Sequence, residues 1–189
     1  GFRRAARHKF KAVRLWQQGD IRIVVNAETE GHAGSAWNAR GTTVCDIGLG
    51  VGSAEDTVTR ATALGAKPFT QPVGPGELPI PAIRGLGGSV MHFIDDGDLA
   101  NVWEVEFAAE GQPVSGAGLT RVDHIAQTMT YDEMLSWSLF YTTLFDMQKA
   151  PMVDVIDPDG LVRSRAISTP GGSFRITLNG ACLLYTSDA

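Results

Sequence analysis

Short apolar runs separated by turn residues dominate the first forty residues of the chain. Ile21 to Asn26 (IRIVVN) form a strong β-run, and Arg4 to His8 and Ala12 to Gln17 give two shorter strands ahead of it. The stretch 27–42 is polar and rich in glycine, which predicts a loop. The chain therefore opens with three predicted strands, and they read as the end of a repeating unit.

A predicted helix then interrupts the strands. Thr43 to Val51 has the pattern of a strand, and Ser53 after it has the residue type and position of a helix N-cap. The helix predicted over Ala54 to Leu64 ends at Gly65, which suits the left-handed position after a helix. Further extended segments are predicted at 67–71, 78–84, 89–94 and 102–107.

The same order of elements begins again after residue 118. Leu119 to Met129 is a predicted strand, and Tyr131 to Phe145 is a predicted helix with Thr130 as N-cap and Glu133 at the capping-box position. The remaining predicted strands are 148–155, 161–168 and 173–178, with turns at 157–160 (DPDG) and 169–172 (TPGG). A strand–helix–strand–strand–strand order that occurs twice predicts an α+β fold of tandem βαβββ modules.

Composition narrows the class of protein. Of 189 residues, 43% are hydrophobic and 20% charged, which is typical of a globular chain with one large or two small domains. The net charge is −5 and there is no Lys/Arg block, so nucleic acid is not an expected partner. No apolar run is long enough to cross a bilayer, and no signal-peptide pattern begins the chain. Two cysteines without a CxxC spacing favour a reduced, cytoplasmic setting.

The last eight residues, CLLYTSDA, differ in character from the rest. They have the apolar content of a strand, but they read like translated sequencing-library adapter. We therefore interpret 182–189 as a non-native tail and exclude it from the fold prediction. Mass spectrometry of the source protein tests this, because a natural peptide continuing past Ala181 with other residues is expected.

Few single residues point to chemistry without further information. His124, next to Asp123, lies in a predicted strand, where a lone histidine is more often packed or solvated than a ligand. Asp46 is one carboxylate in an apolar strand and does not make a site. The glycines of 48–56 (GLGVGSAED) lack the GxGxxG spacing, so they indicate a strand end and a helix cap rather than a phosphate loop.

Longer stretches resemble the 4-hydroxyphenylpyruvate dioxygenase family, whose fold is the vicinal-oxygen-chelate type built from βαβββ modules. The resemblance runs from Gly1 to Ala181 with consistent order and spacing. A closer likeness is to the dioxygenase-like half of fused bacterial 3-dehydroshikimate dehydratases, through ELPIPAIRGLGGS, MLSWSLFY and DPDGLVRSRAIS. The family stretches are GFRRAARHKFKAVRLWQQGDIRIVVN, GPGELPIPAIRGLGGS, VWEVEF, VSGAGLTRVDHIAQ and GLVRSRAISTPGGSFRITLN.

The resemblance implies a domain organisation. Residues 1–112 correspond to a metal-free N-terminal chelate-fold domain whose start is truncated, and 113–118 form a linker. Residues 119–181 correspond to the first module of a C-terminal metal-binding domain, also truncated. Residues 182–189 are the tail described above.

The resemblance also implies site residues. His124, in the motif V-D-H, matches the first histidine of an iron site made of two histidines and a glutamate, a set that suits Fe(II) or another divalent metal. The other two ligands would lie beyond Ala181, so the fragment alone is expected to be inactive. Ser164 and Asn179 match the family's substrate-contacting serine and asparagine. Gln127 replaces a histidine that the family often carries, which weakens the expectation of its usual substrate.

Strand register adds an independent prediction. If the loop of the last hairpin is TPGG, Ser164 faces Thr177 and Asn179 faces Val162. Ser164, Arg175, Thr177 and Asn179 would then share a mostly polar face, which is either a site for a keto acid or a plain solvent-exposed face.

Two functions from different classes follow. The first is Fe(II)-dependent oxidative decarboxylation and hydroxylation of an aromatic keto acid by the intact parent. The alternative is a non-catalytic or regulatory module fused to a 3-dehydroshikimate dehydratase of quinate and shikimate catabolism, and a metal-free binding protein is a third option. The expected partners are a small aromatic or cyclic carboxylate and further copies of the chain.

Overall fold

The structure is a computed structural model that describes residues 1–111, 116–157 and 160–182. It divides into two compact units, Gly1–Arg121 and Val122–Ala189. Part of the predicted linker and all of the tail after Cys182 lie outside the described residues, so the domain boundaries given above stay a prediction. No helix within the described ranges has the length and apolar character needed to cross a membrane.

The first unit contains two four-stranded sheets. One has the strand order β3-β2-β1-β8 and the other β4-β7-β6-β5. A short 3-10 turn, Leu86–Gly88, precedes β7. The elements in chain order are β1 Arg3–His8, β2 Val13–Gln18, β3 Ile21–Asn26, α1 Gly31–Arg40, β4 Asp46–Val51, α2 Ala54–Ala63, β5 Pro68–Phe69, β6 Ala82–Arg84, β7 Val90–Asp95, α3 Leu99–Glu106 and β8 Phe107–Ala109.

The opening three strands are confirmed as an antiparallel meander. β1 pairs with β2, and β2 with β3, while β8 adds to the other side of β1. The inward side chains form a small apolar core, with Trp103 packed against it. Strand β3 lies at the sheet edge, and Ile23, Val24 and Val25 are all exposed there. The core residues are Ala5, Ala6, Val13, Leu15 and Phe107.

The predicted loop at 27–42 is wrong, because ten of its residues form helix α1. Its alanines favour a helix, but its glycines and polar residues hide that preference. Gly34 is required by packing, since a Cβ at this position would collide with the carbonyl group of Thr29. Gly34, which in the sequence indicated a loop, is thus the residue that allows the backbone of Thr29 to lie close to the helix.

The predicted strand at 102–107 is also wrong. Most of it belongs to helix α3, and only Phe107 continues into a strand. Val102 and Glu106 are four residues apart, and such positions lie on the same side of a helix and also of a strand. The pattern of this short segment therefore fits either element. Lys9, far away in sequence, donates from Nζ to the carbonyl oxygens of Glu104 (3.0 Å) and Val105 (2.6 Å). This contact stabilises the helix C-terminus and has no local sequence signal.

The second unit is one five-stranded sheet with helix α4 on one side. β9 runs parallel to β13, β13 is antiparallel to β12, and β10 and β11 both pair with the other edge of β12. The predicted strand at 148–155 is therefore two short strands. The elements are β9 Ile125–Thr130, α4 Tyr131–Leu144, β10 Gln148–Lys149, β11 Val153–Asp157, β12 Gly160–Ser168 and β13 Arg175–Cys182.

The predicted modular repeat is confirmed. In the sheet of β4 to β7, the first strand pairs in parallel with the last, which is the connectivity of β9 to β13. Both predicted helix caps are confirmed as well. Ser53 Oγ accepts from the N–H of Asp56 at 3.1 Å, and Thr130 and Glu133 form a complete capping box. The α+β fold of βαβββ modules is thus established.

The register of the last hairpin differs from the prediction by two residues. Ser164 pairs with Asn179, and Ala166 with Thr177. The N–H of Gly172 donates to the Thr169 carbonyl (2.8 Å), closing a turn one residue later than TPGG implied, and Thr169 itself pairs with Phe174. Because the shift is even, each side chain keeps its predicted face.

The two faces of this sheet have opposite character. One packs on α4, where Ile167, Ile176 and Leu178 are fully buried. The other face carries Ser164, Thr177 and Asn179, which are half-buried. Strand β9 follows the same alternation, with Met129 buried on the helix side and Thr128 exposed on the polar side.

Candidate functional site

His124 lies immediately before β9 and is oriented by the residue that precedes it. Its Nδ1 is 2.9 Å from Oδ2 of Asp123. A carboxylate oxygen can only accept, so Nδ1 donates to it, and in the neutral form of the ring the lone pair is then on Nε2. The His124 side chain is 48% exposed. His124 can therefore bind a metal through Nε2.

Asp123 joins His124 to the polar face of the sheet. Nη1 of Arg175, the first residue of β13, lies 3.1 Å and 3.2 Å from the two oxygens of Asp123. The parallel pairing of β9 and β13 makes this contact, since Ile125 pairs with Ile176. The carboxylate of Asp123 thus accepts hydrogen bonds from both His124 and Arg175.

Ser164 and Asn179 contact one another directly. Ser164 Oγ donates to Asn179 Oδ1 at 2.8 Å, as their direct pairing across β12 and β13 allows. With its oxygen engaged, the Asn179 side chain presents its NH₂ group as a donor. The predicted substrate residues therefore form one polar pair on a face that also carries Thr177 and Thr128.

Gln127 lies on the opposite side of the sheet. It pairs with Leu178, and its Oε1 accepts from the hydroxyl of the buried Tyr141 on α4 at 3.0 Å. Burial raises the pKa of Tyr141 to about 12, although this hydrogen bond acts in the opposite direction. Gln127 is thus a contact between helix and sheet, on the face opposite Ser164 and Asn179.

Sequence reasoning missed the role of Asp123 and the contact made by Arg175. The adjacency of Asp123 and His124 was visible in the sequence, and so was the place of Arg175 on the polar face. Their contact depends on the parallel register of two strands that are fifty residues apart, for which single-sequence patterns carry no signal.

A second polar cluster, in the first unit, was also missed. His8 Nε2 lies 3.6 Å from a carboxylate oxygen of both Glu77 and Glu106, and Lys11 Nζ lies 2.7 Å from Glu77 Oε1. Burial alone would raise the pKa of the Glu77 carboxyl, but hydrogen bonds from Lys11 and Gly74 and the nearby positive charge outweigh burial and lower it. We name His8, Lys11, Glu77 and Glu106 the His8 cluster.

The His8 cluster borders a cavity of about 300 Å³ whose wall is the proline-rich segment 70–81. His92 also lines it, with Nδ1 2.9 Å from Asp46 Oδ1. Within residues 1–111, 116–157 and 160–182, no three His, Cys, Asp or Glu side chains are grouped to hold a metal. His124 accordingly does not belong to a three-ligand group in the part of the chain that the structure describes.

Residues 1–109 match the family model described as hydroxyphenylpyruvate dioxygenase, N-terminal. That match covers more than half of the chain. The chain belongs to the hydroxyphenylpyruvate dioxygenase family. The resemblance inferred from the sequence stretches is thereby confirmed.

Curated relatives of this dioxygenase-family chain fall into two groups. A 3-dehydroshikimate dehydratase of Pseudomonas aeruginosa is 39% identical over 180 residues, covering 95% of the chain and 28% of the relative. A 4-hydroxyphenylpyruvate dioxygenase of Pseudomonas sp. is 33% identical over 184 residues, covering 95% of the chain and 51% of the relative. The chain therefore spans about a quarter of the dehydratases and about half of the dioxygenases.

Solved structures agree with the family assignment. A xylose isomerase-like TIM barrel/4-hydroxyphenylpyruvate dioxygenase fusion protein matches with a TM-score of 0.78 and 35% identity, over 95% of this chain and 28% of the other. A variant of 4-hydroxymandelate synthase from Streptomyces coelicolor matches with a TM-score of 0.75 over 96% of this chain and 56% of the other. At 16% identity the latter shows the shared fold only.

Proposed function

We propose that the chain is part of a larger dioxygenase in which His124 provides one ligand of an Fe(II) site. The observation that carries the proposal is the Asp123–His124 contact. A histidine that binds a metal usually donates its other ring N–H to a carboxylate or carbonyl, which fixes the ring and the tautomer. His124 has this arrangement, and nearly half of its side chain is exposed.

The donor chemistry fits such an ion. Two imidazoles and one carboxylate are a ligand set for non-haem Fe(II), and they leave coordination positions for a substrate and dioxygen. One imidazole is supplied by His124, and the other two ligands are proposed to come from outside the described residues. Iron bound in this way supplies the oxygen activation needed to decarboxylate and hydroxylate an aromatic keto acid.

The polar face provides the binding groups in this proposal. The NH₂ group of Asn179 donates to a substrate oxygen, while Ser164 holds Asn179 in place through its hydroxyl. Thr177 lies on the same face, on the strand that carries Asn179. A small aromatic or cyclic carboxylate, with several acceptor oxygens, suits these donors.

Metal analysis and oxygen uptake on the full-length protein test this function. With 4-hydroxyphenylpyruvate as substrate, His124→Ala is expected to lower both the bound iron and the oxygen uptake by more than the roughly 10- to 100-fold that loss of an outer-shell partner costs. His92→Ala is the matched control, because His92 has an Asp contact of the same length in the first unit. Oxygen uptake that survives His124→Ala would falsify the assignment.

A second candidate is supported by the identities above. The dehydratases match at 39% and 36%, against 33% for the Pseudomonas sp. dioxygenase, so the chain can be a non-catalytic or regulatory module of a fused 3-dehydroshikimate dehydratase. Assaying one full-length preparation with both 3-dehydroshikimate and 4-hydroxyphenylpyruvate separates the candidates. Dehydration that is unchanged by His124→Ala, without oxygen uptake, favours the second.

A further inference from the structure

We propose that Asp123 and Arg175 are positioning residues that decide which ring nitrogen of His124 meets the metal. This inference rests on the proposed function, since it requires His124 to be a ligand. It concerns a different property, namely how the ring of an exposed histidine in an irregular segment is oriented before the ion binds.

His124 needs external support because its own backbone gives little. It precedes β9, in a segment without regular secondary structure, and nearly half of its side chain is exposed. A neutral imidazole has two tautomers, and a freely rotating ring offers either nitrogen. The 2.9 Å contact with Asp123 selects the tautomer with hydrogen on Nδ1 and restricts ring rotation.

Asp123 is itself exposed, at 55% of its side chain, so it also needs an anchor. Arg175 supplies it by placing one Nη1 within 3.2 Å of both carboxylate oxygens. The backbone of Arg175 belongs to β13, whose next residue, Ile176, is fully buried against α4. Arg175, held by the sheet, thus fixes Asp123, and Asp123 in turn orients the ring of His124.

The same sheet offers a control pair of similar exposure. Arg163 on β12 and Asp154 on β11 form an ion pair with Nε 3.4 Å from Oδ1. Their side chains are 37% and 55% exposed, against 39% and 55% for Arg175 and Asp123. Loss of exposed ion pairs changes stability little, so a purely structural role would give both pairs the same small effect.

The test measures the Fe(II) affinity of the full-length protein by anaerobic competition with a chelator, together with thermal unfolding. Asp123→Ala is expected to weaken Fe(II) binding about 10- to 100-fold, as for other residues that orient metal ligands. Arg175→Gln is expected to weaken it less, in the same direction. Asp154→Ala and Arg163→Gln should leave the affinity unchanged, and all four variants should unfold near the wild-type temperature.

Two outcomes overturn the inference alone. One is wild-type Fe(II) affinity in Asp123→Ala and Arg175→Gln while His124→Ala abolishes binding. The other is an equal loss of affinity in the control pair. If the wild-type protein binds no Fe(II), or if His124→Ala leaves the affinity unchanged, the proposed function itself fails and the positioning role fails with it.

Discussion

At the scale of single residues, the His8 cluster shows how a buried charge network is made tolerable. His8 Nδ1 accepts from the N–H groups of Phe10 and Lys11 at 3.1 Å and 3.0 Å, so the proton of the neutral ring is on Nε2. That nitrogen faces Glu77 and Glu106, whose other contacts are N–H donors. Each polar group thus has a partner, which offsets the cost of burial.

Glu77 gives a prediction about pH. Its pKa is lowered in the folded state, so ionisation of Glu77 stabilises the fold above the ordinary carboxyl pKa of about 4.3. This stabilisation is lost as the pH falls through the folded-state pKa. Glu77→Gln should therefore lower the free energy of unfolding by about 1–3 kcal/mol at pH 7.

Chemical denaturation at several pH values checks this expectation. The difference between wild type and Glu77→Gln should shrink as the solution is acidified, because the wild-type carboxyl becomes neutral. Glu55→Gln, in the exposed first turn of α2, is the control and should show a smaller trend, because a carboxylate at an exposed helix N-terminus contributes only about 0.3–1 kcal/mol. A difference that grows in acid would contradict the assigned direction of the pKa.

Gln127 stands where the resemblance to the family predicts a histidine. Gln127→His should lower stability by about 1 kcal/mol, because the bond to the Tyr141 hydroxyl is lost, and should leave the Michaelis constant for the keto acid unchanged. Steady-state kinetics and thermal unfolding of the full-length protein measure both quantities. Thr128→His, one residue later on the polar face, is the contrasting variant and should raise the Michaelis constant. A changed Michaelis constant in Gln127→His with normal stability would show that residue 127 reaches the ligand.

At the scale of elements, the capping box is what makes α4 begin abruptly after β9. Glu133 Oε2 accepts from the Thr130 N–H at 3.1 Å, and Thr130 Oγ1 accepts from the Glu133 N–H at 3.4 Å. These bonds satisfy two backbone donors at the junction, so the chain can reverse from strand to helix without a loop.

Thr130→Ala is therefore expected to lower the free energy of unfolding by about 1 kcal/mol. Ser136→Ala, in the exposed middle of the same helix, should be neutral or slightly stabilising because alanine is the better helix former. Urea denaturation of both variants measures the difference. If the two variants have equal free energies of unfolding, the cap does not contribute to the stability of the fold.

Elements were predictable where their signals were local. Ser53 and Thr130 were recognised as caps, because a cap is decided by residues three positions apart. α1 and α3 were not recognised from the sequence. Gly34 of α1 is required by the close approach of the Thr29 backbone, and the end of α3 is held by a hydrogen bond from Lys9, which is distant in sequence. The hairpin register failed by two residues because the turn begins at Thr169 and lets a hydroxyl join the loop hydrogen bonds.

At the scale of the whole molecule, the fold was predictable because the same order of strands and helices occurs twice. Two modules with the same connectivity could be read from the order of strands and helices, even where individual boundaries were wrong. The candidate site was only partly readable. His124, Ser164 and Asn179 followed from family resemblance, whereas the contact of Asp123 with Arg175 required the parallel pairing of β9 with β13.

The exposed edge strand β3 has a practical consequence for anyone preparing this piece of the protein. Within the described residues β3 pairs with β2 alone, so its outer N–H and C=O groups can template another strand, and Ile23, Val24 and Val25 supply the apolar contact. Four of the six residues of β3 are Ile or Val, and such a segment at an open edge can nucleate fibrils. We therefore expect association in concentrated solution to begin at this strand, and a lysine on it to reduce that association.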